Sequence, residues 1–149
     1  MKNIESLINE SIKYEFEAYQ LYSLLEEIFQ NDADFWKKLA DEELNHASIL
    51  RKSKSFINDN NEVLNIISID DINIVKESIE LFTQYNEEIK KNPSRETAYK
   101  IALKVETSLV ENNYQKFMDI QPESDLIKVF QMINGEEKDH IKRINEYFK

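Results

Sequence analysis

The sequence predicts an all-α protein, a four-helix bundle whose second and third helices are joined by a long crossover containing an extra helix. Three observations lead there. Five segments carry apolar residues at the three-to-four-residue spacing of an amphipathic helix. One Gly and two Pro in 149 residues are too few turn formers for a β-sandwich or barrel. No apolar run approaches the roughly 20 residues of a membrane span, so the apolar stripes are expected to meet one another in a single domain over residues 1–149.

The first segment runs from about Ile4 to Phe29, with the stripe Ile4, Ile8, Ile12, Glu15, Tyr19 and Tyr22. Asn31 to Asp34 supplies a turn and an N-cap for the next helix. That helix, about 34–57, carries Phe35, Leu39, Glu43, His46, Ile49, Leu50 and Ser53 on one face. Residues 58–71 hold a polar cluster followed by a short apolar stretch and read as loop. A third segment, about 72–91, aligns Val75, Ile79, Phe82 and Ile89; Pro93 ends it, and Ser94 with Thr97 restarts the chain. The fourth segment, about 95–119, turns Ala98, Ile101, Ala102, Val105, Leu109 and Phe117 inward. Pro122 is placed at the first turn of the fifth, which runs to about Tyr147. Its inner side reads Leu126, Val129, Phe130, Ile133, Glu137, His140, Ile141 and Ile144. The connection 58–94 has room for a helix of about 20 residues, about 30 Å long, enough to bring the second hairpin beside the first.

Composition excludes several chemistries. The absence of Cys removes disulfides, iron–sulfur clusters, Cys-based zinc sites and thiol catalysis, and suits a reducing compartment. A net charge of −10 opposes nucleic acid. With no membrane span and a polar, acidic start from Met1 to Glu5 unlike a signal peptide, the expectation is a cytoplasmic protein with no membrane partner.

The chemistry shows as polar residues where the core should be. Glu15, Glu43, His46, Glu137 and His140 lie on apolar faces, and Glu106 follows Val105 at the edge of one. A buried carboxylate or imidazole is costly unless it is paired, hydrogen-bonded or bound to a cation. Both histidines lie three residues after a Glu, as Glu43 to His46 and Glu137 to His140, a spacing that points both side chains of each pair the same way. With 20 Glu in 149 residues, both coincide by chance about 2% of the time. Heights agree too. Glu15 lies 16 residues before Asn31, and the first Glu/His pair 12–15 after it. Glu106 lies 15 residues before Gln121, and the second pair 16–19 after it. Antiparallel hairpins then bring four Glu and two His to one level. Such a donor set suits iron or manganese better than magnesium or copper. Glu17, Glu42 and Glu136 neighbour these residues but point about 100–200° away around their helices, and are expected to stand outside the site. Gly135, the lone glycine, serves either a close helix approach or a local distortion.

In this pattern the chain resembles the ferritin-like superfamily, and within it the rubrerythrin-type di-iron carboxylate proteins. Their order of ligands, one Glu, then Glu-x-x-His, one Glu, then Glu-x-x-His, is filled by Glu15, Glu43/His46, Glu106 and Glu137/His140. The context is also similar: Ala18 and Tyr22 follow Glu15, Ala40 to Ala47 surround the first pair, and Tyr114 follows Glu106 by eight residues. The resemblance implies two Fe ions, with manganese or zinc fitting the same residues. Glu43 and Glu137 are then expected to bridge the metals or to shift between bridging and terminal modes, with the other four as terminal ligands. The resemblance also makes Tyr22 and Tyr114 hydrogen-bond donors to ligand carboxylates; the plain alternative is two core tyrosines satisfied elsewhere.

The implied function is Fe(II) oxidation with O2 or H2O2, either as a ferroxidase or by rubrerythrin-like peroxide reduction. The alternative is iron storage or buffering without turnover. Two departures bear on it. Rubrerythrins carry a four-Cys rubredoxin domain, which this sequence lacks, so the reductant is expected to be Fe(II) itself or an external rubredoxin-like donor. Leu109 stands where rubrerythrins place a further carboxylate, one turn after the third-helix Glu. A homodimer is expected rather than a cage.

Overall fold

A computed structural model describes residues 2–57, 67–120 and 124–149. These form five α-helices: α1 Lys2–Ile28, α2 Ala33–Ser53, α3 Ile69–Lys91, α4 Arg95–Ser108 and α5 Asp125–Tyr147. Among the described residues there is no strand, and no helix is long and apolar enough to cross a membrane.

α1 runs 27 residues without Gly or Pro and buries Ile4, Leu7, Ile8, Tyr14, Ala18, Leu21, Tyr22 and Leu25. That stripe lies against α2, which answers with Trp36, Leu39, Ala40, Ala47 and Leu50. Each fully buried Leu or Ile contributes about 1.5–3 kcal/mol relative to exposure. α4 and α5 form the second hairpin, and α5 also packs on α2. α3 is the crossover helix, resting on α1 and reaching α4; Tyr14 and Phe82 meet edge to face with centroids 5.0 Å apart. Asn3 donates to the Ile67 carbonyl at 3.0 Å and ties the start of α1 to the entry of α3.

Several boundaries differ from the sequence reading, each for a local reason. α2 begins at Ala33, one residue before the expected 34, with its N-cap position inside the Asn31 to Asp34 turn. Asp32 precedes it, and its side chain caps nothing because it is buried and engaged elsewhere. It accepts from Arg95 Nε at 2.8 Å and from the Tyr147 hydroxyl at 2.7 Å, joining the first turn to the start of α4 and the end of α5. α2 ends at Ser53 and continues as a 3-10 turn to Phe56. α3 starts three residues before the expected 72, at Ile69, where Ser68 and Asp71 form a capping box. The polar cluster at 58–61 lies outside the described residues. Ser94 caps α4 as its spacing to Thr97 suggests. α5 begins at Asp125 with Ser124 as its N-cap, and Pro122 lies outside the described residues.

The largest difference is in the fourth segment. The periodicity predicts one helix to about 119, but α4 ends at Ser108 and passes into a π-helical turn, Leu109–Asn113, then a 3-10 turn, Gln115–Phe117. Asn134 of α5 is buried beside it and donates to the Val110 carbonyl at 3.0 Å, taking up an acceptor of the wider turn.

Candidate metal centre

The helical periodicity that buries the stripes also buries the polar residues in them. Glu15 sits on α1 between Tyr14 and Ala18, Glu43 and His46 on α2, Glu106 at the end of α4, and Glu137 and His140 on α5. None of the six is more than 1% exposed. The hairpins bring them together at one level, as their distances from the turns predict.

Both imidazoles turn Nδ1 inward. His46 Nδ1 lies 2.6 Å from Glu137, 3.7 Å from Glu43 and 3.9 Å from Glu15. His140 Nδ1 lies 2.7 Å from Glu43, 3.1 Å from Glu137 and 3.3 Å from Glu106. The rings are nearly parallel, with centroids 5.7 Å apart. Two overlapping donor sets result: Glu15, Glu43, His46 and Glu137, and Glu43, Glu106, Glu137 and His140. Within each set one donor atom per residue falls within 4.8 Å of all the others. Glu43 and Glu137 belong to both.

The donor set fits two cations better than it fits itself. Glu15 Oε2, both oxygens of Glu43, Glu106 Oε2 and Glu137 Oε2 are buried and accept no hydrogen bond. No Lys or Arg among the described residues pairs with any of the four carboxylates. Four carboxylates balance two divalent ions when the imidazoles are neutral. Without cations, protons must do that work. Burial, reinforced by the neighbouring carboxylates, pushes Glu15 and Glu137 well above the usual carboxylate range. Glu43 is buried too, but the close approach of Glu15 and of both imidazoles outweighs desolvation and holds it well below that range. For His46 and His140, burial disfavours the charged ring, yet the surrounding glutamates win and raise both pKa values.

Tyr22 and Tyr114 reach this centre. The Tyr22 hydroxyl donates to Glu106 Oε1 at 2.6 Å, and the Tyr114 hydroxyl donates to Glu15 Oε1 at 2.6 Å. Burial and the adjacent glutamate charge raise both phenols well above their ordinary pKa, so they remain donors. The reading of two tyrosines satisfied elsewhere in the core does not describe them. Tyr14 takes that part, donating to the Val105 carbonyl at 2.9 Å. Trp36 is a packing residue, fully buried and stacked on Tyr22 at 5.8 Å. Leu109 opens the π-helical turn and is fully buried.

Two residues were placed outside the site by helix geometry and stand at its rim. Glu136 contacts His46 Nε2 directly, and Glu42 Oε2 lies 3.5 Å from His140 Nε2. A position that points away from its own helix's inner face can still face the neighbouring helix. The signal available in the sequence was the doubled acid: each His is preceded by Glu at both −3 and −4.

An all-α bundle that buries two overlapping sets of three Glu and one His has ferritin-like architecture and a donor arrangement that could hold two metal ions. The profile of the rubrerythrin family matches residues 6–147, and the chain belongs to that family, one of the ferritin-like di-iron carboxylate families. No curated protein and no solved structure gives a match.

Proposed function

We propose that the chain is a di-iron oxidoreductase that oxidises Fe(II) with O2 or H2O2. The observation that carries this reading is the pair of donor sets sharing Glu43 and Glu137, with five buried carboxylate oxygens left without hydrogen bonds. In this reading His46, Glu15, Glu43 and Glu137 hold one ion, and His140, Glu106, Glu43 and Glu137 the other. Two bound irons supply one-electron steps to an oxygen acceptor while the carboxylates neutralise their charge.

The chain's own residues do the rest. Tyr114 fixes one oxygen of Glu15 and Tyr22 one oxygen of Glu106, and the second oxygen of each, buried and without a hydrogen bond, would be left to hold a metal. Trp36, Phe117 and Phe130 belong to the apolar shell that closes the bundle around the centre. Leu109 provides no donor, so the residues support Fe(II) oxidation more directly than a peroxide cycle needing a further carboxylate.

The test is metal content per chain after aerobic Fe(II) addition, with the ultraviolet–visible spectrum followed in the same sample. Two irons with oxo-bridge absorption support the reading. Iron accumulating far beyond two per chain favours storage, and no bound iron overturns the di-iron reading.

A further inference from the structure

The outer ring nitrogens of both histidines face acids from the opposite helix. Glu136 is on α5 and meets His46 of α2, while Glu42 is on α2 and meets His140 of α5. Each acid directly precedes a shared glutamate, Glu42 before Glu43 and Glu136 before Glu137. The two contacts therefore cross the α2–α5 interface in opposite directions.

From this arrangement we infer that Glu136 and Glu42 are positioning residues for the metal-binding histidines, and that they make the two metal positions unequal. The inference rests on the two-metal reading above. A ring nitrogen that binds a cation has no proton, so with Nδ1 inward the proton sits on Nε2, where a carboxylate accepts it. Such a partner fixes the tautomer, aims the ring and makes its inner nitrogen a stronger donor.

The two acids differ. Glu136 has a half-exposed side chain, 50%, and no Lys or Arg partner among the described residues, so its charge is directed at His46 alone. Glu42 turns Oε2, the oxygen nearest His140, to Arg143 Nη2 at 2.6 Å, and Arg143 is held in turn by Asp139 at 3.1 Å. The Glu42 charge is thus shared between an imidazole and a guanidinium. His46 has the more strongly polarised ring, and the position it serves depends more on its outer acid than the position served by His140.

The experiment uses Co(II) as the probe, with the full-length wild type and the variants Glu136→Ala, Glu42→Ala and Glu136→Gln. Calorimetric titration gives stoichiometry and stepwise affinity, and proton NMR of the Co(II) form reports the exchangeable imidazole N–H signals shifted by the metal. Both acids are partly exposed, so the variants keep their fold, which circular dichroism checks. The expected result is two Co(II) per wild-type chain with two N–H signals in slow solvent exchange. Glu136→Ala lowers the affinity of one position about 10–100-fold and speeds exchange of one N–H. Glu42→Ala has a smaller effect on the other position, and Glu136→Gln, which keeps an acceptor, recovers part of the loss. Wild-type affinities and unchanged N–H exchange in both alanine variants overturn the inference while leaving the two-metal reading intact. A larger loss from Glu42→Ala than from Glu136→Ala overturns the inequality. Wild type that binds no Co(II) overturns the two-metal reading itself.

Discussion

The α1–α2 hairpin and the α4–α5 hairpin contribute the same donors, one lone Glu and one Glu-x-x-His each, yet they are built differently. The first hairpin is regular throughout. α1 runs unbroken for 27 residues, and Glu15, Ala18 and Tyr22 follow one another down a single face. In the second, the helix carrying Glu106 gives out two residues later and becomes a π-helical turn before Tyr114 is reached. Both tyrosines nevertheless finish in equivalent roles, each across the bundle from the glutamate it serves: Tyr22 on Glu106, Tyr114 on Glu15. The outer acids cross in the same way, Glu136 to His46 and Glu42 to His140. Each half supplies the unshared Glu and His of one donor set and the supports for those of the other. The irregular turn therefore does not free the second half from the first.

The sharpest way to break this equivalence is to remove what the halves share. Glu43→Ala and Glu137→Ala each take a donor from both sets at once. Each is expected to reduce binding from two ions per chain to at most one, measured as metal content after gel filtration. Glu15→Ala or Glu106→Ala removes a donor from one set only, so the second step of the titration weakens while the first remains. Equal behaviour of the two classes would show that Glu43 and Glu137 do not serve both positions.

The six inner residues were legible because one helix's periodicity and the distance to its turn fix both azimuth and height. Glu43 and His46 could be placed against Glu15 before any neighbour was known. The rest depends on relations between helices. Glu42 and Glu136 look solvent-facing on their own helices and become partners of the histidines only when α2 and α5 are set side by side. The π-helical turn is silent for a related reason. Leu109 to Asn113 contains no Gly or Pro to mark a break, and the Asn134 side chain that takes up the Val110 carbonyl comes from 24 residues further on. The buried pairing of Asp32 is silent in the same way, since its partners Arg95 and Tyr147 lie far along the chain.

Protons and metal compete for the centre, so pH separates its two states. In the metal-free protein the histidines have raised pKa values. Their stabilising charge is complete below the unfolded value of about 6.5 and is lost progressively as pH rises above it. Glu15 and Glu137, also raised, act in the same direction from about 4.5 upward. Glu43 and Glu42 are lowered and oppose this, their contribution being lost as pH falls below about 4.5. The metal-free protein should therefore melt at progressively lower temperature as pH is raised from about 6.5 to 9. Metal affinity should rise over the same interval, because each ion displaces protons. Thermal melts with and without metal across that range provide the check; parallel curves would mean that the inner groups do not titrate against metal.

The two tyrosines test whether the irregular half is as well determined as the regular one. Tyr22→Phe removes the shorter of two hydrogen bonds to Glu106 Oε1, leaving His140 Nδ1 at 3.3 Å, and Tyr114→Phe leaves Glu15 Oε1 without its donor. Each loss should destabilise the metal-free protein by about 1–3 kcal/mol, the cost of a hydrogen bond lost from a buried acceptor. In metal titrations, Tyr22→Phe should weaken the position served by His140, and Tyr114→Phe the position served by His46. The assignment can be read by combining each with Glu42→Ala or Glu136→Ala, since a pair acting on the same position should not be additive.

The smallest effect bears on the same hairpin's regular side. Gly135 lies within α5, two residues before Glu137, and a glycine there invites the idea of a backbone left bare for a neighbour or bent for the site. Neither holds. A Cβ at position 135 meets no atom within 4 Å, the φ angle is not positive, and the residue is exposed. What remains is the entropic cost of glycine in a helix interior, about 1 kcal/mol relative to alanine. Gly135→Ala should therefore stabilise the protein by up to about 1 kcal/mol in urea unfolding, with metal stoichiometry unchanged. A destabilised variant, or one that binds fewer ions, would mean that α5 needs its flexibility to bring Glu137 and His140 into place. The regularity that makes the donors of this helix legible would then be only part of how it works.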